Sequence, residues 1–412
     1  MRTNALTKAL TAVMVLWALP ALPGPDTYLV GNGQDGARTV AAAGGVEINN
    51  YAQVKAPLAP GDTTIRTSLA TSTSAPAVPD FSGPTGGADT SGDLVLIIQT
   101  TGVVPVTVPG SPGPIYLEGG AVGRWELARL TAVSEDEEEE ELTLTLDRPL
   151  KHSYAALFTQ VVRVPEYTSL TLNNNAVVRA KAWDPANRTG GILAFLANGA
   201  VNLGNGSRLS AEGLGFRGGH YEADTEEDED EEPYVGCPVP AHPEETRART
   251  GEGIDVTHPD ARGVANVANG GGGGVCVRAG GGGGGNTGAG GLGGNSADGS
   301  RSGARGEGGA ALSFSPLTHL VMGGGGGAGH GRDETSDADG GHGGGIIFVR
   351  ALSIGGTGTL NASGAAGVGS AESGGGGGGA GGTVHVRTVE HVACSGGLGL
   401  NAMGGGGGDA DD

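Results

Sequence analysis

Between Gly270 and Asp412 the chain places 55 glycines in 143 positions, with one proline, Pro316. Collagen needs glycine at every third residue and abundant proline, so it is excluded. Glycine costs about 0.5–1 kcal/mol relative to alanine in regular structure, so tens of kcal/mol stand against order unless the missing Cβ atoms are put to use. Two outcomes follow. The tracts are flexible coil, or they are extended three-fold strands packed backbone to backbone and hydrogen-bonded sideways. The tracts Gly270–Gly274, Gly280–Gly285, Gly323–Gly327, Gly374–Gly379 and Gly404–Gly408 are spread among apolar runs, where a lateral bundle would need them.

Those apolar runs share an order. Gly345–Gly364 (GIIFVRALSIGGTGTLNASG) has an apolar run, a glycine-rich bend and the ending Leu360-Asn-Ala-Ser-Gly364. Gly191–Gly213 ends in Leu209-Ser-Ala-Glu-Gly213, and Gly382–Gly404 in Leu400-Asn-Ala-Met-Gly404. One such unit cannot bury its own apolar face, whereas stacked units bury a continuous core. The expected arrangement is a parallel β-helix or β-solenoid, with antiparallel hairpins in a sandwich as the competing one. Ala211, Ala362 and Ala402 are then expected to face a tight interior, and Glu212 and Ser363 to point outward.

Upstream, strands are expected at Gly61–Leu69, Gly92–Ile98 and Phe158–Val164, with Gly123–Val133 and Leu142–Leu146 as a hairpin around the acidic run Glu135–Glu141. Leu170–Leu172 and Val177–Ala182 read as a further strand pair. The fold class is all-β: a signal peptide at 1–24, an N-terminal β module at 26–165, and a glycine-rich solenoid-like region at 166–412 with an acidic loop insertion at 220–269. Aromatic residues make up 4% of the chain, which predicts no large conventional core.

The net charge of −21 is local. Glu135–Glu141 holds seven acids and Glu222–Glu232 nine, so the rest carries −21 + 16 = −5. A nucleic-acid partner is not expected, and the acidic blocks read as solvated loops. Cys237, Cys276 and Cys394 do not make a disulfide framework; one pair plus a free thiol is the alternative in an oxidising compartment. Met1–Leu22, with Arg2 and Lys8 before the apolar Ala9–Leu19, reads as a secretory signal too short to span a bilayer.

Little in the sequence points to chemistry. Gly31-Asn-Gly-Gln-Asp-Gly36 occurs once, whereas calcium-binding nonapeptides need tandem copies, so it reads as a turn. Gly288-Ala-Gly-Gly-Leu-Gly293 fits a dinucleotide fingerprint but lacks the strand–helix context. His330 and His342 flank Asp333, Glu334, Asp337 and Asp339 without an EF-hand pattern. Asp184, Arg179 and Lys181 are the residues a polysaccharide lyase or hydrolase would use on a solenoid face; exposed strand-face positions explain them equally well. Asn187-Arg-Thr189, Asn205-Gly-Ser207 and Asn361-Ala-Ser363 match N-glycosylation acceptors. No catalytic, cofactor-binding or metal-binding residue is assigned.

The series Gly31–Ala37, Asn49–Tyr51, Gly92–Ile97, Val162–Tyr167, Ala182–Asp184, Thr189–Phe195 and Gly215–Gly219 resembles the glycine-rich exported proteins of myxobacteria and relatives, described as adventurous gliding motility proteins of the AgmC type. The resemblance implies a surface scaffold with no catalytic residues to carry over. The expected function is an exported, non-enzymatic scaffold of the cell surface or envelope serving adhesion or gliding, with surface polysaccharide or envelope proteins as partners. A carbohydrate-active β-helix enzyme is the alternative.

Overall fold

The computed structural model describes residues 28–41, 44–69, 80–84, 91–111, 113–221, 248–258, 261–275, 278–295, 304–330, 338–370, 374–390 and 397–408. The signal segment, Glu222–Glu232 and all three cysteines lie outside the described residues. Among the described residues the fold is all-β with no α-helix.

Residues with long β-branched and leucine runs form an antiparallel sheet. Its strands are β3 (Tyr51–Gln53), β4 (Thr64–Ser68), β5 (Leu94–Gln99), β7 (Trp125–Asp136), β8 (Glu141–Leu146) and β9 (Thr159–Val164), in the order β3-β9-β5-β7-β8-β4. β5 and β9 are buried along their whole length, which explains their unbroken apolar pattern. The expected hairpin is β7–β8, and Glu135–Glu141 lies at its exposed tip.

Two parallel sheets hold the units found in the sequence. The first runs β1 (Ala37–Val40), β11 (Ser169–Leu172), β13 (Ile192–Leu203), β16 (Ile346–Gly356), β18 (Thr383–Thr388), with β10 (Glu166–Tyr167) also on β13. The second runs β2 (Gly45–Glu47), β12 (Val177–Arg179), β14 (Arg208–Ser210), β17 (Thr359–Asn361), β19 (Gly399–Asn401). Chain order alternates between them. Val46, Val178, Leu209, Leu360 and Leu400 stand side by side across the second sheet. The bend before β17 contains Gly356 at φ +108°, where a side chain would run into the Leu203 carbonyl.

Ala211 and Ala362 are fully buried, as expected, but Ala402, just past the edge strand β19, is exposed. Ser363 is buried where an outward position was expected. Its Oγ accepts the Met403 N–H at 3.2 Å, because the segment after β19 covers it. β11 and β12 do not pair with each other; the bend between them sends each to a different sheet. β1 and β2, assigned to the N-terminal module, join the parallel sheets.

The glycine tracts are ordered strands in a lattice. Residues 280–285 donate in three directions with a period of three. Gly281 and Gly284 bond the carbonyls of Gly375 and Gly378; Gly282 and Gly285 bond Gly272 and Asn269; Gly280 and Gly283 bond Gly294 and Gly291. The period is that of a three-residue-per-turn extended helix. Gly324 and Gly327 likewise donate to Gly285 and Gly282, and Gly323 and Gly326 to Gly344 and Gly341. A Cβ at Gly282 would strike the Glu307 carbonyl, and one at Gly327 the Gly272 carbonyl. The missing side chains let backbones approach to hydrogen-bonding distance on every side. Residues 248–253, placed by the sequence in a surface loop, belong to this lattice: Gly251 donates to Gly271 and Ala248 to Gly274.

A conventional core exists despite the few aromatics. Leucine, isoleucine and valine, with buried aromatics such as Tyr51, Phe195 and Phe348, build it in three main clusters: one in the antiparallel sheet, one between the parallel sheets, and one where the two meet the glycine strands.

Candidate functional site

The densest polar constellation is the seam between the antiparallel sheet and the first parallel sheet. Its centre is Glu166, fully buried on β10. Arg129 of β7 holds it through Nη1 to Oε2 at 2.6 Å and Nη2 to Oε1 at 2.8 Å. The Asn32 N–H donates to the same carboxylate at 2.9 Å. Gly31 and Gly33, at φ +81° and +77°, wrap the 31–36 loop over this group, and a side chain on Gly31 would press into Glu166.

A second ion pair lies beside the first. Arg163 of β9 reaches Asp35 at 2.7 Å and Asp93 at 2.8 Å. Asp35 in turn accepts the Glu166 N–H at 2.7 Å, and Asp93 accepts the Ser82 N–H and hydroxyl. Buried charges are tolerated when paired and hydrogen-bonded in this way. The single Gly-x-Gly-x-Asp run is therefore a clasp on a glutamate, and its Asp35 is bound to an arginine.

Side-chain amides splice the two sheets. Asn49 donates from Nδ2 to the carbonyls of Arg163 (2.9 Å) and Ala194 (2.6 Å), while its Oδ1 accepts the Ala194 N–H. Gln160 exchanges the same pair of bonds with Gly190. Tyr51 donates to the Ile192 carbonyl at 2.7 Å, and burial pushes its pKa up, which keeps the phenol neutral. Asp147 closes one end of the seam. Burial raises its pKa, but bonds from Arg148, the Tyr28 hydroxyl and the Arg129 N–H outweigh that and hold the carboxyl below the usual carboxylate range.

The candidate enzyme residues are each engaged by structural partners, although Lys181 lies close enough to Asp184 to act on it electrostatically. Asp184 caps its own turn, accepting the N–H groups of Ala186 and Asn187. Arg179 faces Glu47 at 3.5 Å on the second sheet, and Lys181 is buried near Tyr51, to which its N–H donates. Asp339 pairs with His220 at 2.9 Å, and burial holds the His342 pKa below its usual value. Asp333, Glu334 and Asp337 lie outside the described residues, and among the described residues no group of three or more His, Cys, Asp or Glu could hold a metal. The Gly288–Gly293 run is an extended lattice strand in which Gly290 and Gly293 donate to Gly309 and Gly306, and among the described residues no helix follows it.

One small, partly open pocket carries aromatic and acidic groups together. Trp183 meets Phe216 edge-on at 5.5 Å beside Glu252 and Asp255. Its volume is about 80 Å³, well below the roughly 300 Å³ at which small-molecule sites begin. Glu252 is already bound to Arg217 at 2.6 Å. Burial raises the Asp255 pKa, but bonds from Thr107 and Thr257 outweigh it and hold the carboxyl low.

The sequence did not mark Arg129, Arg163 or Glu166 as partners. The available signal was a charge inside otherwise apolar runs such as Gln160-Val-Val-Arg163-Val164.

These features define an all-β protein whose polar motifs hold sheets together and whose glycines form a backbone lattice. No protein-family model matches the chain, and no curated protein matches it. No helix among the described residues is long and apolar enough to cross a membrane.

Proposed function

We propose that this chain is an exported, non-enzymatic scaffold of the cell surface or envelope, serving adhesion or gliding, in which a short parallel β-solenoid feeds a glycine-strand lattice. The observation that carries the reading is the continuity of the two parts. Gly340–Gly345 runs straight into β16 and Gly374–Gly382 into β18, while residues 362–368 and 402–408 continue from β17 and β19 into the lattice. Each coil thus contributes two sheet strands and an extension into the lattice. The strand order, alternating between two parallel sheets in chain sequence, supports the solenoid, since stacked coils contact only their neighbours.

Load on such a body is distributed over many backbone hydrogen bonds, which suits a structural role. The charged side chains of the conspicuous motifs are engaged in the seam, which also favours a scaffold over a hydrolase. Export rests on the positively charged, then apolar, segment Met1–Leu22, and surface polysaccharide or envelope proteins are the partners it would meet. Cell fractionation with mass spectrometry of the mature N-terminus tests the proposal. The expected result is envelope or secreted protein lacking the leader; a cytoplasmic protein with Met1 intact contradicts it.

A further inference from the structure

Among the described residues the glycine lattice has one unfilled position. The strand 374–382 is buried from Gly374 to Gly381, and its donors fall into three sets. Gly374, Gly377 and Ala380 donate to His330, Gly327 and Gly324; Gly376, Gly379 and Gly382 donate to Val368, Ala365 and Ala362. The third set is Gly375, Gly378 and Gly381. These residues are buried, and among the described residues their N–H groups have no hydrogen-bond acceptor. Buried backbone donors are almost always paired, so three orphans in a row, one per turn of the extended helix, mark a missing strand.

The surroundings leave room for one further backbone. A groove of about 400 Å³ opens at the Gly381 end, with Gly284, Gly288, Ala402 and Gly404 on its glycine side and Phe314 and Val384 closing the other. Interior glycines such as Gly282 would drive a Cβ into a neighbouring carbonyl. Bordering this position the result differs. A Cβ at Gly404 or Gly407 would find its nearest atoms at 3.6 Å (Gly379 O) and 3.8 Å (Gly376 O), and one at Gly288, Gly291 or Gly294 would meet nothing within 4 Å. Glycine at these positions is not demanded by the chain's own packing, and each costs stability relative to alanine. A backbone laid against them from outside would demand it.

We propose that this groove receives the all-glycine strand Gly404–Gly408 of a second copy of the chain, giving a two-fold dimer through a continued glycine lattice. That strand is largely exposed, and its Gly404, Gly406 and Gly407 donate no hydrogen bond among the described residues. It borders the groove of its own copy, so a two-fold axis between the paired strands fills both grooves at once with the same contact. Inserted, its carbonyls would take the N–H groups of Gly375, Gly378 and Gly381. The proposal is independent of export or of any surface role.

The test combines sedimentation of the full chain over a concentration series with amide hydrogen exchange. The expected result is a concentration-dependent dimer in which the amides of Gly375, Gly378 and Gly381 exchange at least tenfold more slowly than in the dilute monomer. The double variant Gly404→Val/Gly407→Val puts side chains into the groove. It should melt like the dilute, monomeric parent, stay monomeric at every concentration and leave those three amides exchanging as in that monomer. A parent that is monomeric at every concentration overturns the proposal. Dimerisation that persists in the double variant, or that leaves the three amides unprotected, also overturns it. Slowed exchange on adding hexaglycine to a chain that never self-associates would reject the second copy as occupant.

Discussion

Arg129 and Glu166 form a two-pronged ion pair, 2.6 and 2.8 Å, with 7% and 0% of the residues exposed. One partner comes from the antiparallel sheet and the other from the strand beside β13, so the pair is a rivet between two sheet systems. Removing one member of such a pair leaves an uncompensated buried charge and typically costs about 3–5 kcal/mol. Glu166→Gln and Arg129→Met should each lose stability of that order in urea titrations. The double variant Arg129→Met/Glu166→Leu should lose clearly less than the sum. Additive losses would mean the pair is not coupled.

The lattice makes a sharper contrast between chemically identical changes. Gly327→Ala drives a methyl group into the Gly272 carbonyl, whereas Gly291→Ala meets nothing within 4 Å. Overpacking costs about 1–3 kcal/mol, while a compatible Gly→Ala change can stabilise by roughly 0.4–1 kcal/mol through the unfolded chain. At dilutions where the chain is monomeric, the first variant should melt lower and the second no lower than the parent. Equal melting points would contradict close backbone packing.

The interior between the parallel sheets gives a third test. Ala362 is fully buried and Glu212 is exposed. Ala362→Leu should cost about 1–3 kcal/mol and sensitise the neighbouring strands to protease, while Glu212→Lys should be silent. Ser363→Lys is expected to be damaging, because it buries a charge under the segment after β19.

Acid should weaken the protein partly through His385. Its ring stacks on Phe348 with centroids 5.1 Å apart. Burial first, then Arg350 and Arg387, holds its pKa below the usual histidine value. A depressed base prefers to be neutral in the fold. Its contribution is therefore intact above the unfolded value of about 6.5 and is lost as pH falls from there through the folded pKa. Urea midpoints measured between neutral and mildly acidic pH should fall, and His385→Gln should flatten part of that slope. An unchanged slope would assign the acid sensitivity to other groups.

The elements legible in the sequence were those with a period. The buried strand β5, the β7–β8 hairpin and the side-by-side leucines 209, 360 and 400 follow from alternation and spacing. What was not legible depends on where the chain returns after long excursions. Ala37–Val40 pairs with Ser169–Leu172, far along the chain, and nothing local in four residues specifies that. Glu166 carries no local sign that Arg129 will face it. The order of the glycine tracts was undecidable locally too, because a single tract has no lateral partners, and the favourable hydrogen bonds exist only when several tracts meet.

The central claim is that the glycine tracts are a hydrogen-bonded core. Site-resolved amide hydrogen exchange measures it directly. Gly282, Gly327 and Gly377 each donate to a neighbouring strand, at 2.8 Å in all three cases. Their amides should be protected to a degree comparable with Leu96 and Val162 of the antiparallel sheet, since both would open only with the global fold. Exchange of these three glycines at free-peptide rates, with Leu96 and Val162 still protected, would contradict the claim.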